Sequence, residues 1–95
     1  MHLRLYGVFR SAAGSSDVSI ELSAPRITVR AAITHLISDP AYQAVKALLF
    51  DGETLDPRSN ALIMVSGHEI GALDGLDTEV SENDELSLLP IAHGG

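Results

Sequence analysis

The chain closes on Pro90-Ile91-Ala92-His93-Gly94-Gly95, directly after the apolar stretch that ends at Leu89. A glycine carboxylate has no side chain beside its carbonyl, so a nucleophile can approach that carbon with little hindrance. Gly94 accepts whatever backbone φ a narrow channel demands. From Pro90 to Gly95 an extended chain spans about 20 Å, enough to reach a site buried in another protein. A carboxylate is a poor acyl donor and must first be activated, most simply as an acyl-adenylate. The sequence has no G-x-x-x-x-G-K-[ST] phosphate loop and no G-x-G-x-x-G turn. Activation is therefore expected from a separate protein. Gly95 becomes the candidate attachment point and Gly94 the residue that gives access to it.

Other chemistries find no footing. There is no cysteine, hence no thiol nucleophile, disulfide or thiolate metal site. His68-Glu69 begins like a zinc-protease motif, but position 72 is alanine. His2, His35, His68 and His93 show no ligand spacing. The acid-rich stretch 77–85 lacks the glycine and alternating carboxylates of a calcium loop. No strand-turn-helix nucleophile motif is present. The expectation is a carrier or modifier rather than an enzyme, binding no metal and no cofactor of its own.

Thirteen acidic residues against six basic ones give a net charge of −7, and no lysine or arginine follows Arg58. Such a surface repels phosphate backbones, which argues against nucleic acid, and favours a basic protein partner. No apolar run approaches the roughly 20 residues of a membrane span. The opening MHLRLYGVFR has no signal-peptide layout. A cytoplasmic protein with no membrane partner is expected. At 95 residues the chain suits a single domain.

The elements that would carry the tail read as follows. Residues 3–9 form a strand, 11–16 a loop, and 17–23 a strand with Val18, Ile20 and Leu22 on one face, the pair making an antiparallel hairpin. Thr28 caps a helix whose buried stripe is Val29, Ala32, Ile33, Leu36 and Ile37. That helix ends near Ser38, and Asp39-Pro40 starts a second one with Tyr42, Val45 and Leu49 on one side. A loop covers 51–60. Leu62 to Val65 are apolar without a break, as in a strand covered on both faces. Ser66-Gly67 turns the chain into a further short strand. Residues 71–84 read as a long loop anchored by Leu73, Leu76 and Val80. The last strand places Leu86 and Leu88 on one face and Ser87 and Leu89 on the other, with Pro90 ending its ladder. The whole is an α+β architecture.

In this order and spacing, RLYGVFR, TVRAAITHLISDPAYQAVKALLFDG, ALIMVSGHEIGALDGLDTEVSENDELSLLP and the final Gly94-Gly95 resemble the ubiquitin-like β-grasp sulfur carriers and small protein modifiers. That group includes the small subunit of molybdopterin synthase, ThiS-type carriers and archaeal-type small modifiers. The resemblance implies a mixed sheet with helices on one face, the first and last strands side by side and parallel. It implies a β-grasp domain over 1–90 and a flexible di-glycine tail over 91–95.

It implies further that a ubiquitin-activating-type enzyme adenylates Gly95 with Mg-ATP, and that a sulfurtransferase supplies the sulfur of a thiocarboxylate. The sulfur would go to a pterin precursor of the molybdenum cofactor, through a large synthase subunit. In a modifier, Gly95 would instead join lysines of target proteins through an isopeptide bond. A non-covalent β-grasp interaction domain is the third reading. Leu5, Phe9, Met64 and Leu89, with Ile91 and His93 at the tail, are the candidate docking residues. Lys46 is the sole lysine and so the candidate acceptor for self-conjugation, apart from the Met1 amine.

Overall fold

The computed structural model describes residues 1–91. β1 (His2–Leu5) leads into α1 (Gly7–Ala13) and β2 (Asp17–Ser19). β3 (Arg26–Thr28) precedes α2 (Val29–Ile37), a 3-10 turn at Pro40–Tyr42 and α3 (Gln43–Leu49). β4 (Ala61–Val65), β5 (His68–Glu69), β6 (Glu79–Ser81) and β7 (Glu85–Pro90) complete the chain.

Five strands form one mixed sheet in the order β2-β1-β7-β4-β5, and β3 pairs with β6 in a small separate ribbon. β1 and β7 run parallel, with His2 opposite Glu85 and Leu5 opposite Leu88. β7 runs antiparallel to β4, with Leu62 opposite Leu89 and Ile63 opposite Leu88. This is the parallel first-to-last pairing that the resemblance implied.

Alternation decides the core. Leu3, Leu5, Val18, Ile63, Val65, Leu86 and Leu88 all point to the face that the helices cover. From the other side come Phe9 of α1, then Val29, Ala32, Ile33 and Leu36 of α2, and Val45 and Leu49 of α3. α2 starts where the sequence places it: the Thr28 hydroxyl accepts from the backbone N–H of Ala31 at 3.1 Å. The Asp39 carboxylate accepts from Ala41 N–H at 2.9 Å, with Pro40 at the first position of its turn.

Four local readings need correction. Residues 7–13 are helical, so the first strand stops at Leu5 and no tight hairpin joins β1 to β2. Gly7 turns the chain at φ +54°, and packing of Phe9, Ala12 and Ala13 holds a helix too short to stand on propensity. β2 is three residues long, although Ile20 still donates to the Met1 carbonyl at 3.0 Å and stays buried. β4 is covered on one face only, since Leu62 is exposed while Ala61 and Ile63 are buried. Within the long loop lies β6, where Val80 faces Ile27; Leu76 and Val80 are buried but Leu73 is exposed.

Candidate functional site

The chain leaves the sheet at the end of β7, and three contacts fix that point. Tyr6 N–H donates to the Leu88 carbonyl at 3.1 Å, the last bond on the β1 side. Pro90 can therefore lie beside β4, opposite Ala61, without an N–H for β1. Ile91 N–H then donates to the Asn60 carbonyl at 3.2 Å. The Asn60 amide donates in turn to the carbonyls of Leu49 and Asp51, both at 2.9 Å, tying the root of the tail to the end of α3. Gly7 completes the root: a Cβ there would lie 2.7 Å from Pro90 Cγ. No local signal marks Gly7 or Asn60, because their roles depend on a distant strand.

The open face of the sheet beside this root carries an apolar strip. Tyr6, Leu62 and Ile91 are 38–39% exposed, and Met64 and Leu89 are half-buried. Leu62 stands opposite Leu89 across the β4–β7 ladder. Of the proposed docking residues, Met64, Leu89 and Ile91 are thus brought together. Leu5 and Phe9 do not belong with them, because both are only 1% exposed. Leu5 alternates toward the helices, and Phe9 sits on α1 facing the core. Tyr6 and Leu62 take their places, and one-residue alternation from Leu5 and Ile63 would have found them. His93, Gly94 and Gly95 lie outside the described residues.

Towards the start of β7 the same face becomes ionic. His2 Nε2 lies 2.7 Å from Asp17 Oδ1, and His2 Nδ1 lies 3.4 Å from Glu85 Oε2, so one imidazole spans three strands. The bond to His2, with help from Ser16 and Arg4, holds the Asp17 carboxyl below its ordinary range. Among the described residues no group of three or more His, Asp or Glu side chains could hold a metal ion. No described helix is long and apolar enough to cross a membrane.

The two primary amines have opposite surroundings. Lys46 is exposed on α3. The Met1 amino group is fully buried, donating to the Ile20 carbonyl at 2.7 Å and to Glu82 Oε1 at 2.5 Å. Linkage through Met1, expected to be open alongside Lys46, would have to break both contacts.

A mixed sheet with parallel first and last strands, helices on one face, and an apolar strip around the exit of the last strand defines a ubiquitin-like β-grasp domain. No protein-family model matches the chain. A candidate sulfur carrier protein of Archaeoglobus fulgidus is 34% identical over 86 residues, covering 90% of this chain and 94% of its own. The crystal structure of SAMP1 from Haloferax volcanii superposes with a TM-score of 0.79 at 22% identity, covering 99% and 97% of the two chains. The solution structure of small archaeal modifier protein 1 from Methanosarcina acetivorans gives 0.75 at 26%, covering 99% and 94%. A chain of the Amycolatopsis orientalis BexX/CysO complex gives 0.73 at 24%, covering 99% and 98%. The chain belongs to the ubiquitin-like β-grasp family of small sulfur carriers and modifiers.

Proposed function

We propose that this protein carries sulfur on the acyl group of Gly95. The observation that supports the reading most is its likeness to the candidate sulfur carrier of Archaeoglobus fulgidus along nearly the full length of both chains. A partner enzyme forms the Gly95 acyl-adenylate from Mg-ATP, releasing pyrophosphate. The persulfide of a sulfurtransferase then displaces AMP to give an acyl disulfide. A thiol attacks the enzyme-side sulfur of that disulfide, becoming oxidised with it and releasing the thiocarboxylate. The sulfur goes on to an acceptor, for which a pterin precursor of the molybdenum cofactor, bound by a large synthase subunit, is the first choice. This chain contributes the slim acyl terminus and the surface that guides it. The strip of Tyr6, Leu62, Met64, Leu89 and Ile91 is the face offered to the enzyme, next to the point where the tail departs.

The likeness to SAMP1 favours a second reading, attachment of the same acyl group to a target lysine. Both readings share the adenylation step, which is the one to test first. Incubated with the adenylating enzyme of the same host and Mg-ATP, the full chain should drive pyrophosphate release, and a variant lacking Gly95 should not. Equal release from both would remove Gly95 from the chemistry.

A further inference from the structure

We infer that a cleft between Arg4 and Arg10, at the edge of the apolar strip, receives an aspartate or glutamate side chain of the adenylating partner. The inference rests on the proposed adenylation and adds the partner chemistry of the docking face.

The cleft measures about 260 Å³ and is lined by Arg4, Leu5, Tyr6, Gly7, Arg10 and Ser16. Its setting is unusual for this molecule. Arg26, Arg30 and Arg58 are each paired with an acid, Glu79 at 3.7 Å, Asp77 at 3.1 Å and Asp56 at 2.7 Å. Arg4 is shared loosely with Asp17 at 3.8 Å. Among the described residues Arg10 makes no ion pair, although the protein carries thirteen acids. An arginine left without an acid in so acidic a chain stands ready for a carboxylate from outside. A guanidinium takes a carboxylate through two parallel N–H···O bonds, and this planar match is what a lysine could not supply.

Position adds the second argument. Tyr6 belongs both to this cleft and to the apolar strip, and Gly7 packs against Pro90 at the root of the tail. A partner seated on Leu62 and Leu89 therefore reaches Arg10 along one continuous surface. A small phosphate fits less well. Asp17, whose carboxyl is held ionised by His2, stands beside Arg4, and a net charge of −7 repels a free dianion. A carboxylate on a protein carries one charge and arrives with apolar contacts of its own. Two arginines in a cleft that also holds Gly7, the residue packed against Pro90, give a cationic spot to an otherwise acidic chain.

The test measures binding of the full-length chain to the adenylating enzyme of its host by calorimetry. Arg10→Glu should weaken binding by roughly tenfold or more, and Arg10→Lys should recover only part of the loss. Raised salt should shrink the difference between wild type and Arg10→Glu. Arg26→Glu, a charge reversal on the separate β3–β6 ribbon, should stay within about twofold of wild type. Thermal melting of each variant checks the fold. Binding by Arg10→Glu equal to wild type, or equal losses in Arg10→Glu and Arg26→Glu, would overturn the inference. An enzyme that neither binds nor adenylates the wild-type chain would instead remove the adenylation on which it rests.

Discussion

Gly7 shows how one residue sets the geometry of the tail. Its φ of +54° already disfavours any side chain, and Pro90 closes the space a Cβ would need. Gly14 offers the natural comparison, because it has φ +74° with nothing near. A left-handed conformation alone costs about 1–2 kcal/mol for an alanine. Gly14→Ala should show that cost, whereas Gly7→Ala should lose about 1 kcal/mol more as Pro90 is pushed aside. Urea unfolding of both variants measures the difference. Equal midpoints would mean that Pro90 yields freely and that the tail root is not held by this contact. Neither glycine could be ranked from sequence, since their difference lies in a residue 83 positions from Gly7 and brought beside it only by the β1–β7 pairing.

At the scale of elements, what the sequence showed depended on whether a local signal was complete. α2 was legible because its cap, its apolar stripe and the Asp39-Pro40 start of the next turn lie in one short stretch. α1 was hidden, because Leu3 and Leu5 alternate like a strand and the helix that follows owes its stability to Phe9 in the core. The pattern in β4 misled for a related reason. Leu62 and Met64 are apolar on a face without helices, so an unbroken apolar run suggested cover on both sides where one side is open.

That contrast can be measured. Leu5→Ala should cost about 2–5 kcal/mol of stability, as a buried leucine does. Leu62→Ala should stay within about 0.5 kcal/mol in stability yet raise the KM of the adenylating enzyme for the chain. Denaturation and pyrophosphate release, read on both variants, separate the two roles. A large stability loss in Leu62→Ala, with KM unchanged, would return Leu62 to the core.

Across the whole molecule, the proposed carriage would make a small acidic domain the holder of one acyl group. Helices seal one face of the sheet, and the other face grades from ionic at His2, Asp17 and Glu85 to apolar at Leu62 and Leu89. The last strand runs along that gradient and delivers the chain at its apolar end, beside the cleft of Arg4 and Arg10. The chemistry proposed for Gly94-Gly95 rests on the sequence, since both lie outside the described residues. The open apolar face was not legible there, because it is assembled from β1, β4 and β7, which are far apart in sequence.

Sulfur carriage by Gly95 is tested most directly by intact-mass measurement of the protein purified from its own host. A fraction of molecules should show the gain of one oxygen-to-sulfur exchange, confined to Gly95 by fragmentation and lost on treatment that hydrolyses thiocarboxylates. A uniform unshifted mass, alongside host proteins bearing Gly-Gly branches on lysine, would contradict sulfur carriage and establish the modifier in its place.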